Sequence, residues 1–478
     1  MTAPAYGDTA PIAAPATAPG ESALALVRTS GKSAIDLAAS VFSRPRKLFD
    51  APGNSIVHGW IINPAGENPG ERIDEVLISV YRAPRSYTGE DSLDITCHGG
   101  AATVGGIMDV LRKAGFRDAL PGEFSFRAFM NGKLDLTRAE SVMELVSAKT
   151  DRSRRRAVAR LSGVLEGEIR DIKTLLTRVL AGTELFLDYS EDDLSPGDGE
   201  PDRLPDRPLA EEALARLRSL AASYRMERLC HEGALVVIAG RPNAGKSSLF
   251  NRLLREDRSI VTDIPGTTRD WIEAWISIKG IPIRLADTAG LHVSGDAVER
   301  LGVERSRDLL AAADLAIYLV DGAVGVQAGD RDFFRDFAPG ETKEKPPVIV
   351  VWNKVDAVPP PEGFSPGFSP AGKPLPVSAK TGAGIPELAA VLAAALETAH
   401  GGAGTDGPAG IGTPRQKELI DAALEAVEGA LALADRGEPL DLIAPLFREG
   451  VNALGEITGE VTTADILELM FSRFCVGK

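Results

Sequence analysis

The run Ala234–Ala239 is apolar and strand-like, and it feeds straight into Gly240-Arg-Pro-Asn-Ala-Gly-Lys-Ser247. The eight residues fit the phosphate-binding pattern G-x-x-x-x-G-K-[ST] position for position, and the amphipathic stretch Ser248–Leu254 continues them as a helix. Strand, glycine loop and helix in that order demand an α/β domain whose loop wraps a polyphosphate. Gly240 and Gly245 let backbone N–H groups curl around the phosphates, and the helix opening near Lys246 adds its positive dipole end. Lys246 is expected on the outer phosphates and Ser247 on magnesium. A plain glycine turn needs none of these features together.

Two later segments name the base. Asn353-Lys354-Val355-Asp356 follows the apolar run Val348–Trp352, and Ser378-Ala379-Lys380 follows Leu375–Val377. A carboxylate at Asp356 accepts from the ring N–H and exocyclic amine of guanine, whereas adenine would leave it facing an acceptor, at heavy cost. The backbone N–H of Ala379 is placed to donate to the guanine carbonyl. Between these segments and the phosphate loop, the strand-like Ile283–Ala286 ends in Asp287-Thr288-Ala289-Gly290. Asp287 suits the magnesium shell, and the Gly290 N–H suits the terminal phosphate. The hydroxyl-rich loop Thr262–Asp270 supplies a candidate second magnesium ligand, Thr268 by position. Nucleotide contacts are therefore expected from Asn243, Ala244, Gly245, Lys246, Ser247, Ser248, Thr262, Thr267, Thr268, Asp287, Thr288, Ala289, Gly290, Asn353, Lys354, Asp356, Ser378, Ala379 and Lys380.

Where Ras-like GTPases place a water-orienting glutamine after Asp-x-x-Gly, this chain has Leu291 followed by His292. Leucine cannot orient water, so hydrolysis needs another group. A carboxylate within Asp296–Arg300 can serve, and a monovalent cation can replace an arginine finger by neutralising charge between phosphates. Asn243 is the phosphate-loop residue suited to hold such a cation.

The formal net charge of −15 repels polyanions, so any nucleic-acid contact needs a local basic patch. The one such cluster, Arg152, Arg154, Arg155, Arg156 and Arg160, reads more simply as a solvated helix face. Cys97, Cys230 and Cys475 lie far apart and suggest neither disulfide nor zinc site, in keeping with a reducing cytosol. No apolar run reaches membrane-spanning length, and the Ala/Pro-rich start lacks a leader pattern, so a cytoplasmic location without membrane contact is expected.

The chain of 478 residues divides by pattern into a multidomain α+β, all-α and α/β arrangement. Residues 1–131 alternate short β-type runs with a helical stretch, forming an N-terminal α+β module. Residues 132–230 turn helical and charged, 231–399 hold the Ras-like P-loop GTPase domain, and 400–478 return to helical periodicity after a Gly-rich linker. Helices before and after imply a nucleotide domain inserted into one helical bundle.

Several stretches together carry a family resemblance: the phosphate loop, Asp263-Ile-Pro-Gly-Thr-Thr-Arg-Asp270, Asn452–Thr463 and the terminal Phe474-Cys-Val-Gly-Lys478. Val27–Gly31, Tyr87–Asp91, His98–Gly100 and Pro121-Gly-Glu-Phe-Ser125 add to them. The chain resembles the MnmE family, also called TrmE, over nearly its whole length, and the Cys-x-Gly-Lys end and Pro-Gly-Glu-Phe-Ser are the distinctive parts. The resemblance implies a homodimeric, potassium-stimulated GTPase that works with the flavoprotein MnmG on the wobble uridine of certain tRNAs. There it would add an aminomethyl or carboxymethylaminomethyl group at carbon 5, with 5-formyl- or 5,10-methylene-tetrahydrofolate bound at the N-terminal domain. It places folate contacts on Arg28, Asp94, Lys133 and Lys478, and potassium ligands on Asn243, Thr262, Ile264 and Thr267. Glu299 takes the catalytic glutamate's place, and Cys475 matches the family's functional cysteine. Asp94 stands where glutamate is usual, Pro265 where a small residue is usual, and His292 where arginine is usual. The rival is a ribosome-assembly switch of the Era or Der type, but the chain has no second phosphate loop and no basic tail with a GxxG turn after the nucleotide domain. An N-terminal module serving only dimerisation is a third reading, separable by folate copurification.

Overall fold

Two six-stranded sheets of opposite character organise the computed structural model, which describes residues 6–63, 70–188, 204–256, 272–287, 308–336, 345–362, 373–400 and 410–477. The chain divides into one unit of Met1–Met143 with Leu454–Lys478 and another of Glu144–Ala453.

The first unit holds β1 (Ile12–Pro15), β2 (Ser22–Ser30), β3 (Ser55–Ile62), β4 (Arg72–Tyr81), β5 (Ser92–Gly99) and β6 (Arg117–Asp118). Their order is β3-β4-β5-β2-β1-β6, antiparallel except for the β1–β6 pair. Burial alternates along β4, with Asp74, Val76, Ile78 and Val80 turned inward. This period of two leaves one face for packing. The helix Ala101–Ala114 fills that face with Ile107, Met108, Val110 and Leu111, beside Ile35 and Ala38 of Ala34–Ser40. The α+β character expected of this region is observed.

The end of the chain belongs to the same unit. Leu467, Phe471 and Phe474 form a buried cluster with Phe126, Leu136 and Ala139, the Phe126 and Phe471 rings meeting edge to face at 5.6 Å. The division by pattern grouped 400–478 as one helical stretch, whereas compactness separates 454–478 from it. Helical periodicity marks a buried face but not the partner that covers it.

The second unit carries β7 (Ala234–Gly240), β8 (Ile272–Ile278), β9 (Ile281–Asp287), β10 (Leu315–Asp321), β11 (Val348–Asn353) and β12 (Leu375–Pro376). They run in the order β12-β11-β10-β7-β9-β8, all parallel except β8 with β9. Continuous burial along β7, β10 and β11 follows from covering both faces. Helices Lys246–Glu256 and Ile385–Ala399 cover one face through Leu249, Leu253, Leu388 and Leu392, and Ala328–Asp336 brings Phe333 onto Tyr318 on the other.

Beside this sheet, Arg207–Glu232 packs against both Val164–Asp188 and Pro414–Asp435. Helices from before and after the nucleotide fold are thus neighbours, as an insertion requires. The arginine cluster departs from a solvated face. Arg154 and Arg155 do lie exposed beside Asp151, but Arg152 pairs with Glu397 at 3.1 Å and Arg156 with the buried Glu227. Arg160, only 2% exposed, lies 2.5 Å from Glu144 and 2.6 Å from Glu227. These acidic partners sit on other helices, so local sequence does not reveal them. The main-chain N–H of Gly410 also donates to Glu227, at 2.9 Å.

Candidate functional site: the strand ends of the parallel sheet

Parallel pairing of β9, β7, β10 and β11 brings Asp287, Gly240, Asp321 and Asn353 to one edge of the sheet. Open parallel sheets bind ligands at that carboxyl edge. Lys246 opens the following helix, and its Nζ donates to the carbonyls of Gly240 at 2.9 Å and Arg241 at 3.1 Å. Burial pushes its ammonium pKa down, against the opposing pull of Asp287. A cation held on two carbonyls is ready to exchange them for phosphate oxygens. Ser247 donates its hydroxyl to Asp287 Oδ2 at 2.8 Å, so two hard oxygen donors already adjoin. That donor set fits magnesium. Gly245 has φ +97°, and a Cβ there would lie 2.3 Å from Asn353 Nδ2, so only glycine suits this approach.

Asn353 is 2% exposed and uses both ends of its amide. Nδ2 donates to the Ala244 carbonyl at 2.8 Å, while Oδ1 accepts from the Ala379 N–H at 3.1 Å. It ties the phosphate loop to the Ser-Ala-Lys loop. Asp356 accepts from Ser378 Oγ at 2.6 Å, and this bond holds its carboxyl below the usual range. The Lys380 carbonyl accepts from Arg252 at 3.1 Å. Lys354 donates to the Asn243 carbonyl at 3.0 Å and to Asp321 Oδ2 at 2.6 Å. Pro242, Asn243, Gly245, Lys246, Ser247, Ser248 and Lys354 line an open cleft of about 480 Å³, within the size range of small-ligand sites. Ala244 lies buried behind it.

Asp321 was missed by motif reading, although its setting, an apolar strand ending in a carboxylate, repeats that of Asp287. Thr262, Ile264, Pro265, Thr267, Thr268, Thr288, Ala289, Gly290, Leu291, His292 and Glu299 lie outside the described residues. Among the described residues no cluster of three histidine, cysteine or acidic side chains forms a metal site.

The second set of expected contacts falls in the N-terminal unit. Arg28 and Asp94 face each other across β2 and β5, and two bonds of 2.9 and 3.2 Å join guanidinium to carboxylate. Two residues expected to contact folate are closed on each other here. The Arg28 guanidinium also lies 5.7 Å from the centre of the Tyr87 ring. Lys133 donates to the Pro84 carbonyl at 2.9 Å. Cys475 is exposed, and its carbonyl accepts from the Gly122 N–H at 3.3 Å; Lys478 lies outside the described residues. A Cβ on Gly122 would stand 2.5 Å from the Phe471 carbonyl, so the Pro-Gly-Glu-Phe-Ser stretch is shaped to receive the tail.

Residues 11–133 match the family described as GTP-binding protein TrmE N-terminus, and 136–475 match the MnmE helical domain. The tRNA modification GTPase MnmE of Treponema denticola is 44% identical over 98% of this chain and 98% of its own. The chain belongs to the MnmE family. MnmE of Carboxydothermus hydrogenoformans is 38% identical over 98% of this chain and 99% of its own. A solved Era structure from Aquifex aeolicus, bound to GDP and tetrafluoroaluminate, is 26% identical over 40% of this chain and 66% of that one, with a TM-score of 0.27. The MnmE match runs through both units, which decides against the Era or Der reading. Among the described residues of this MnmE-family chain, no helix is long and apolar enough to cross a membrane.

Proposed function

We propose that the chain hydrolyses GTP and, as a homodimer in the cytoplasm with an MnmG-type flavoprotein, modifies carbon 5 of the wobble uridine of certain tRNAs. The added aminomethyl or carboxymethylaminomethyl group draws its one-carbon unit from 5-formyl- or 5,10-methylene-tetrahydrofolate. What carries the reading is the meeting of Lys246, the Ser247–Asp287 pair and the Asp356–Ser378 pair at one sheet edge, in a chain matched along its length by MnmE.

Lys246 transfers its donors from the Gly240 and Arg241 carbonyls to the outer phosphates, and Asp356 reads guanine. Ser247, Asp287 and Thr268 would hold magnesium, which would supply neutralising charge at the phosphates. Asn243, with Thr262, Ile264 and Thr267, takes potassium, and Glu299 orients the water that Leu291 cannot. At the N-terminal site Asp94 keeps acceptor capacity after its two bonds from Arg28, since a carboxylate offers about four lone-pair positions. Arg28 and Lys133 supply charge for the folate carboxylates, and Lys478 adds a further contact from the tail that carries Cys475. The four-part division 1–131, 132–230, 231–399 and 400–478 assigns folate and dimer contacts to the first part and the nucleotide to the third.

Mass spectrometry of wobble uridines from cells lacking the protein tests the modification: loss of the carbon-5 group is expected, and unchanged nucleosides overturn it. Glu299→Ala should slow hydrolysis about a hundredfold with GTP affinity retained. Potassium should accelerate the parent enzyme over sodium at equal ionic strength, and Asn243→Ala should erase the difference.

A further inference from the structure

Asp321 occupies the last position of β10, in register with Asn353 at the end of β11. The two strand ends are stitched by the Gly322 N–H donating to the Asn353 carbonyl at 2.9 Å. The Asp321 carboxylate is fixed on one side, Oδ1 accepting from the Ala323 N–H at 3.0 Å. Its other oxygen takes Lys354 Nζ at 2.6 Å, and the carboxylate side chain is only 12% exposed. The same Nζ reaches the carbonyl of Asn243. Asn243 and Lys354 both have left-handed backbone, at φ 65° and 66°, an uncommon conformation for residues with a side chain. The two bends thus converge on one ammonium group.

We propose that Asp321 is a positioning residue for retention of the guanine nucleotide, acting through Lys354, which it holds as a strut between the base-reading loop and the phosphate loop. Lysine has a flexible four-carbon stem and three donors, so a single carbonyl does not define where its charge sits. A fixed, largely buried carboxylate does, and charge-assisted bonds are the stronger kind. With Nζ anchored, the Lys354 stem forms a rigid wall of the cleft it lines. Asp321 does not line that cleft, so its influence passes through Lys354. Losing it should accelerate nucleotide departure and leave association nearly unchanged, since the cleft opening is not altered.

Asp321→Asn is the informative variant: its amide oxygen still accepts from the Ala323 N–H, while its NH₂ faces the Lys354 ammonium donor to donor. The experiment measures dissociation of a fluorescent GDP from the full-length chain for Asp321→Asn, Lys354→Met and the double variant, with thermal unfolding of each without nucleotide. Asp321→Asn is expected to speed dissociation about tenfold to a hundredfold, the scale of one charge-assisted hydrogen bond. The double variant should be no faster than Lys354→Met alone, because the effect has one route. Asp321→Glu should restore part of the retention. Parental dissociation in Asp321→Asn overturns the proposal. So do additive effects in the double variant, or an unfolding loss in the nucleotide-free protein large enough to account for the faster release.

Discussion

The nucleotide sheet and the N-terminal sheet have six strands each, yet they present their chemistry in different ways. In the parallel sheet the functional groups stand at strand ends: Gly240, Asp287, Asp321 and Asn353 each close an apolar run. Gly240, Asp287 and Asn353 each belong to a short contiguous motif, so for these three motif and site coincide. In the antiparallel sheet Arg28 and Asp94 lie inside their strands, and their relation is set by pairing between residues 66 apart. A short motif records what a strand end offers. It does not record what lies opposite a strand middle.

The sharpest test of this contrast is Lys246→Ala, which should lower GTP hydrolysis about a hundredfold to a thousandfold, the usual loss on removing a preorganised charge donor. Calorimetry with 5-formyltetrahydrofolate should read the same affinity as the parent. Joint loss of both activities would break the contrast. Next in size, Asp356→Asn should weaken GTP binding about a hundredfold and favour xanthosine triphosphate, whose carbonyl replaces the guanine amine. Equal affinity of the parent for ATP and GTP would remove the basis for that site.

In the antiparallel sheet, Arg28→Met strands the Asp94 carboxylate and should cost about 1–3 kcal/mol in chemical denaturation. Arg28→Met with Asp94→Asn should recover part of that loss, because neither side then keeps an uncompensated charge. An additive double variant would show that the pair is not the unit of stability. The smallest effect concerns His400, whose Nε2 lies 3.6 Å from Asp314 Oδ1. The bond to Asp314 holds the imidazole pKa above its ordinary 6.5, with burial opposing. The folded state therefore binds the proton more tightly. The contribution is complete below about pH 6.5 and fades as pH rises through the raised value. Unfolding at pH 6 and pH 8 should differ by at most about 1 kcal/mol from this source, and His400→Gln should remove that part.

The same contrast governs what could be read in advance. Lys246, Ser247, Asp287 and Asp356 were legible because each sits in a motif with a chemical reason for its spacing. Asp321 was not, since Leu315–Asp321 matches no pattern and its partner Lys354 lies just past the end of the next strand. Arg156 and Arg160 looked like a wet surface because their acidic partner, Glu227, lies 71 and 67 residues away. The packing of the tail was not legible either, as Phe471 and Phe474 reveal periodicity alone, while Phe126 supplies the contact.

Glu227 sits on the helix that runs, through Gly233, into β7, and the same carboxylate takes the N–H of Gly410, where the described chain resumes beyond the nucleotide fold. Arg160 donates to Glu227 at 2.6 Å and to the Gly410 carbonyl at 3.3 Å. The two seams of the insertion are thereby sewn to one buried charge. A fold joined at neighbouring points has the geometry of a cassette: its host helices stay adjacent whether or not it is present. A short loop from Glu232 to Gly410 should leave Arg207–Glu232 and Pro414–Asp435 packed as they are.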